Sequence, residues 1–315
     1  MTAYQTPPLP LIVLAGSDRR PAALPDDVEG LHSLSGYKAV DVKIGGRPII
    51  DLLLERLEQS GLFDPIYVAG PRRVYGESRG RATVIDTDGS FSENIEAAIT
   101  HVGRECPGRS VGFATCDILP EVNELHTLLD DYYANAPLDF WFPMILAPEG
   151  GRELGASSWK PEYRIAPSAG EEPKTLLPGH LVVADPSAFR LPLVYRSFNL
   201  AYRSRNRSVI YRLRLILSHV FGGLLLQDLH HLLAFRLPTI TVTVALHGIL
   251  LAIRLARGES SSDELADRLH KIFISYRHRR RFPELTGRMP LMPGLSLAKD
   301  IDTVEEAQEL ARELE

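Results

Sequence analysis

The hydrophobic positions of this chain change period several times, and the changes mark its elements. "LIVLAG" is an unbroken apolar run ending in a small-residue turn, which predicts a buried strand. "RPIIDLLLERLEQSG" places Leu53, Leu54 and Leu57 at helical spacing, with Pro48 near the start and Gly61 as the stop. "PIYVAG" and "ATVID" read as strands, and "SFSENIEAAITHV" opens a helix with Ser90 and Glu93 in capping-box spacing. "SVGFATCDILP" then reads as a buried strand ending in a carboxylate. This order, β-α-β-β-α-β, predicts an α/β fold: a three-layer, mainly parallel sheet with helices on both faces. Ligands of such sheets bind outside the carboxyl ends of the strands, where Gly16, Gly70 and Asp117 fall.

Beyond Tyr195 the pattern turns helical and more apolar, through "VIYRLRLILSHVFGGLLLQDLHHLLAF" and "LPTITVTVALHGILLAIRLARG". The run from Leu237 to Ile253 includes His247 and three threonines and falls short of roughly 20 clean apolar residues, so it reads as a buried helix rather than a membrane span. "SSSDELADRLHKIF" adds a capped amphipathic helix. The closing "KDIDTVEEAQELAREL" is a helix with Thr303 and Glu306 in capping-box spacing, preceded by two aspartates. The expected organisation is a disordered tail over residues 1–9, a core formed by 10–195 and 288–315, and a helical insert over 196–287.

Composition narrows the picture. At 315 residues and 44% hydrophobic content the chain supports a sizeable core. Two cysteines, Cys106 and Cys116, are too few for a disulfide framework and lack zinc-site spacing, and the N-terminus has no secretory pattern, so a cytoplasmic protein is expected. A net charge of −5 argues against non-specific nucleic-acid binding. The charge is uneven, however: Pro186 to Gln227 contains seven arginines and no acidic residue. That segment suits either a solvated helix face or peripheral membrane contact through the insert.

The chemistry-bearing residues cluster near the predicted strand ends. A carboxylate such as Asp117 closing an apolar strand calls for a cap, a turn or a divalent cation. Asp300 and Asp302 read either as residues favouring a helix N-terminus or as further ligands, since Mg²⁺ needs only one or two carboxylates plus substrate phosphates. Arg19, Arg20 and Lys38 combine forked and point-charge donors, a mixture suited to polyphosphate. Neither the Walker signature G-x-x-x-x-G-K-[ST] nor G-x-G-x-x-G is present, which argues against a P-loop NTPase and a dinucleotide-dependent oxidoreductase.

The succession "VLAG", "YKAVDVKIGGRPIIDLLLERLEQSG", "IYVAG", "GSFSENIEAAI", "FATCDILP" and "DIDTVEEAQEL" resembles the MobA-like NTP transferases of the nucleotide-diphospho-sugar transferase superfamily. The resemblance implies a Mg²⁺-dependent nucleotidyltransferase that moves a nucleoside monophosphate from an NTP to a small phosphorylated acceptor, of sugar, polyol or cofactor type, and releases pyrophosphate. By position it implies that Leu14, Ala15, Gly16, Gly70, Ser90 and Asn94 bind the nucleotide. Lys38 and Arg19 or Arg20 would offset phosphate charge, with Lys43 the alternative register for the lysine. Asp117 and Asp302 would hold the metal, and Gly179 and His180 would lie on the acceptor side. The chain departs from the family pattern at Ser17, where a second glycine is usual, and at Pro178-Gly179-His180. Two other readings share these features: a nucleotide-sugar-dependent glycosyltransferase of the same fold, and a catalytically weak nucleotide-binding protein acting at a membrane through its arginine-rich insert.

Overall fold

The computed structural model describes residues 7–17, 34–148, 163–168, 170–204, 211, 214–215, 218–219, 224–225, 228–229, 232–233 and 240–313. The chain opens with β1 (Leu9–Leu14), α1 (Lys38–Asp41) and the short pair β2 (Lys43–Ile44) and β3 (Arg47–Pro48). It continues through α2 (Ile49–Ser60), β4 (Phe63–Gly70), α3 (Arg72–Tyr75), β5 (Ser78–Arg79), β6 (Ala82–Asp86), α4 (Phe91–Glu105), β7 (Val111–Thr115) and α5 (Val122–Asn135). The middle supplies β8 (Phe140–Trp141), β9 (Met144–Leu146), β10 (Tyr163–Ile165), β11 (Lys174–Pro178), β12 (Leu181–Ala184) and α6 (Leu191–Arg203). Last come α7 (Ile240–Arg257), α8 (Ser262–Phe273), α9 (Tyr276–Arg281), β13 (Gly287–Arg288), β14 (Leu291–Met292) and α10 (Val304–Glu313).

The main sheet runs β13-β8-β12-β7-β1-β4-β6-β5. Its centre is parallel: β1 pairs with β4 and β7, and β4 with β6, so Leu14 lies level with Ala69 and Thr115. The carboxyl ends of β1, β4, β6 and β7 therefore open on one edge. Alternation along β1 explains the layers. Leu11 and Val13 pack with Leu53 and Leu57 of α2 and Leu125 and Leu129 of α5, whereas Ile12 joins Ala98 and Val102 of α4 on the opposite face. The result is the expected helix–sheet–helix arrangement.

A second sheet, β10-β11-β9-β14, builds another core with the later helices: Met144, Ile165 and Leu176 pack with Leu251, Leu265 and Ile274. Fully buried Asp139, just before β8, accepts hydrogen bonds from His270 Nε2 at 2.6 Å and His278 Nε2 at 2.8 Å, fastening α8 and α9 to the main sheet. Boundaries differ from the sequence reading in three places. Leu9, placed in the tail, is buried in β1 and donates its N–H to the Leu62 carbonyl at 2.9 Å. The 195/196 division falls inside α6, and Gly287, assigned to the insert, pairs with Phe140 in the main sheet. In each case pairing or helix continuity carries across a position where composition changes.

Candidate active site

β1 ends at Leu14 and hands the chain to Ala15 and Gly16, at the edge where β4 and β7 also end. Ala15 donates its N–H to the Ala69 carbonyl at 2.9 Å and accepts from the Tyr75 hydroxyl at 2.8 Å. Burial pushes that hydroxyl well above the usual phenol range, so it stays a donor. Gly70 must be glycine: a Cβ there would stand 2.8 Å from the Ala15 carbonyl oxygen and 2.5 Å from the Tyr75 ring. At Gly16 a Cβ would displace the Asn94 amide, whose Nδ2 occupies that space.

Asn94 ties the turn after β1 to the turn after β6. Its Oδ1 accepts from Thr87 Oγ1 at 2.8 Å and from the Gly89 N–H at 2.9 Å, while its amide nitrogen faces Gly16. Ser90 caps α4 as its spacing predicts, with Glu93 accepting from the Ser90 N–H at 2.6 Å. Leu14, Ala15, Gly16, Gly70, Ser90 and Asn94 are thus gathered along one edge and its flanking helix.

Beyond the end of β7 lies a cluster of charge. Asp117, Asp300 and Asp302 offer carboxylate oxygens that all lie within 4.8 Å of one another. The chain brings them together through backbone: Ile118 bridges to Asp300, and the Ile301 N–H donates to the Asp117 carbonyl at 2.8 Å. The α10 capping box fixes the other side, since Glu306 accepts from the N–H groups of Asp302 and Thr303 at 2.8 and 3.0 Å, and Thr303 Oγ1 accepts from the Glu306 N–H at 3.1 Å. Lys38, only 5% exposed, donates from Nζ to Asp302 Oδ1 and stands 4.0 Å from Asp117 Oδ2. Lys43 is exposed on β2 and takes no part in this cluster.

Among the described residues, three carboxylates against the Lys38 ammonium leave an excess of negative charge in a largely dry site. The effect falls on Asp302, whose carboxyl is pushed up to about 8, first by burial and then by Asp300 and Asp117 against the opposing pull of Lys38. Asp117 Oδ1 and Asp302 Oδ2 are buried without a hydrogen-bond partner among the described residues. Oxygen ligands, excess negative charge and orphaned acceptors suit a small hard divalent cation such as Mg²⁺.

The acceptor-side residues lie at the adjacent strand. Leu181 of β12 pairs with Ala114 of β7, which sets His180 beside Thr115, its Nδ1 3.0 Å from Thr115 Oγ1. Gly179 donates its N–H to the Pro143 carbonyl at 2.9 Å. Arg19 and Arg20 lie outside the described residues.

Two features of this site escape sequence reasoning. The sequence leaves Asp300 divided between a helix start and a ligand, but its bridge to Ile118 makes it a third member of the cluster. Tyr37, next to Lys38, donates to Asp88 Oδ1 at 2.9 Å, and Arg73 Nη2 donates to both the Tyr37 hydroxyl and Asp88 Oδ2 at 2.5 Å. This trio links the lysine's loop to the Gly89-Ser90 turn. No local motif announces it; the pairing of β4 with β6 brings Arg73 and Asp88 together, and Tyr37 reaches them from the start of α1.

No protein-family model and no curated protein sequence matches the chain. Among solved structures it is similar to a hypothetical transferase from Thermus thermophilus, with 21% identity and a TM-score of 0.57 over 95% of this chain and 99% of that one. It is also similar to CMP:2-keto-3-deoxy-manno-octonic acid synthetase complexed with CTP, with 13% identity and a TM-score of 0.42 over 63% and 84% of the two chains. HddC from Yersinia pseudotuberculosis complexed with GMP-PN shares 11% identity at a TM-score of 0.38, over 59% and 79%. The Thermus likeness spans almost the whole of both chains and establishes a shared α/β fold.

Proposed function

We propose that this protein is a nucleotidyltransferase that transfers a nucleoside monophosphate from an NTP to a small phosphorylated acceptor and releases pyrophosphate. The observation that carries the reading is the Asp117–Asp300–Asp302 cluster, with Lys38 buried against it, beside the carboxyl ends of β1, β4 and β7. The MobA-like resemblance of "VLAG", "GSFSEN" and "FATCDILP" points the same way, as does the likeness to a hypothetical transferase from Thermus thermophilus.

The chain's own residues divide the work. Because Gly16 and Gly70 carry no Cβ, Asn94 and the Tyr75 ring close on the turn after β1 and fix the backbone against which a nucleotide would lie. Asn94 and the capped start of α4 hold that turn in register with the Gly89-Ser90 segment. Lys38 places a cation beside the carboxylates, where it offsets charge on phosphate oxygens as the α-phosphorus is attacked. Asp117, Asp300 and Asp302 would hold Mg²⁺, which when bound neutralises and orients the phosphates. His180 and Gly179 border the strand on the side assigned to the acceptor. Catalysis of this kind rests on positioning and charge rather than on a covalent intermediate.

The deciding assay measures pyrophosphate release from each NTP with Mg²⁺ across a panel of phosphorylated sugars, polyols and cofactor precursors, with nucleotide sugars in parallel. Asp117→Asn abolishes release while leaving the melting temperature close to that of the parent protein. Full activity in Asp117→Asn, or turnover of nucleotide sugars only, overturns the proposal.

A further inference from the structure

We infer that the outer face of α7, together with Leu225, Leu229, Leu232 and Leu233 upstream of it, docks on an anionic phospholipid surface. α7 turns Thr241, Val244, Gly248 and Leu251 inward, where Val244 joins Leu193, Leu224 and Ile272 in a small core. Its opposite face leaves Val242, Leu246, Ile249, Leu250 and Ile253 exposed in one stripe at helical spacing. Val242 is 66% exposed and Leu246 54%, and the sequence from Ile240 to Ile253 contains no charged residue. A surface helix with one buried face ordinarily carries polar groups on the other.

The stripe does not stand alone. Upstream, Leu224 and Asp228 face inward, with Asp228 Oδ2 accepting from the Thr241 N–H at 2.7 Å, while Leu225, Leu229, Leu232 and Leu233 remain exposed. The Asp228–Thr241 bond and the Leu224–Val244 cluster hold this segment against the start of α7, so two aliphatic stripes are neighbours. Apolar exposure on this scale marks an interaction surface.

Charge selects the occupant. Of the seven arginines between Pro186 and Gln227, Arg190 turns inward and donates to the Ile272 carbonyl at 2.7 Å, but Arg196, Arg203 and Arg214 lie at the surface, and Arg257 closes the last turn of α7. Phe198 and Tyr211 add exposed aromatic rings to the same segment. A second copy related by twofold symmetry would set this basic segment against itself, whereas phosphodiester headgroups match guanidinium donors. None of the described helices is long and apolar enough to cross a membrane, so α7 would lie in the interface plane. Apolar stripe and basic flank supply the two signals that stable peripheral binding requires.

Flotation of the full chain with vesicles tests this, using phosphatidylcholine alone or mixed with phosphatidylglycerol, at low and high salt and without nucleotide. The protein floats with the mixed vesicles, high salt weakens binding, and neutral vesicles bind poorly. Leu246→Gln/Ile249→Gln lowers binding about tenfold or more. Arg203→Gln/Arg214→Gln lowers it about fivefold per arginine, on anionic vesicles only. Failure to float with anionic vesicles, equal binding to neutral ones, or binding unchanged by both double variants overturns the inference. A stable dimer in sedimentation that Leu246→Gln/Ile249→Gln dissociates also overturns it. Because no nucleotide is present, loss of the nucleotidyl-transfer reading would leave these outcomes unaffected.

Discussion

Lys38→Met removes the ammonium that lies against the carboxylate cluster while nearly preserving side-chain volume. Breaking a buried ion pair from one side costs about 3–5 kcal/mol when the orphaned partner stays charged. Asp302 has another course open to it. Its carboxyl stands at about 8 even beside Lys38, so near neutrality it is already largely protonated and loss of the ammonium leaves no bare charge on it. The expected loss at neutral pH is then about 1–3 kcal/mol, the cost of an unsatisfied buried polar group. The sign with pH follows from linkage: an acid raised on folding contributes stability that is present below its unfolded value of about 3.9 and is lost as pH rises through its folded value. Both proteins lose stability alike up to that value, but without Lys38 the loss continues past it, so the gap between variant and parent in urea denaturation widens as pH rises above about 8. Lys38→Met/Asp302→Asn, with a neutral amide in place of the orphaned acid, recovers much of the gap above about pH 8. Pyrophosphate release stays absent in both. A pH-independent gap, or a double variant no more stable than Lys38→Met at alkaline pH, would refute the assignment of Asp302 as the group that Lys38 compensates.

Three further perturbations separate packing from chemistry. Gly70→Ala forces a methyl to 2.8 Å from the Ala15 carbonyl and costs about 1–3 kcal/mol in chemical denaturation; an unchanged midpoint would mean that the turn relaxes freely. Asp300→Asn keeps the bridge to Ile118, a backbone feature, but removes one ligand, so Mg²⁺ raises its melting temperature less than the parent's; an equal shift removes Asp300 from the site. Thr303→Ala deletes the hydroxyl that accepts from the Glu306 N–H and costs about 1 kcal/mol by thermal unfolding, with no loss expected if the buried α10 start finds another cap.

The unbroken apolar run of "LIVLAG" and the helical spacing in "RPIIDLLLERLEQSG" make the layered core legible, because burial on both sheet faces leaves few ways to pack such runs. The capping boxes at Ser90 and Thr303 are legible for a local reason: their partners lie three residues away. Asp300 and the Tyr37–Arg73–Asp88 trio depend on contacts between distant segments, which no short window contains. Arg190 shows the same limit in reverse. Its neighbours suggest a basic surface, yet its half-buried guanidinium packs against the end of α8, where desolvation pulls it down to about 10. The exposed stripe on α7 is the hardest to foresee, since an apolar run looks the same whether its outer face is covered or bare.

The backbone bridge between Ile118 and Asp300 also bears on how the protein is made. Asp117 leaves the ribosome with the first part of the sheet, whereas Asp300 and Asp302 follow only after the second sheet and the later helices have been synthesised. During synthesis the carboxylate cluster therefore cannot be complete until the chain beyond β14 has emerged. The site then serves as a built-in report that the last helix has docked.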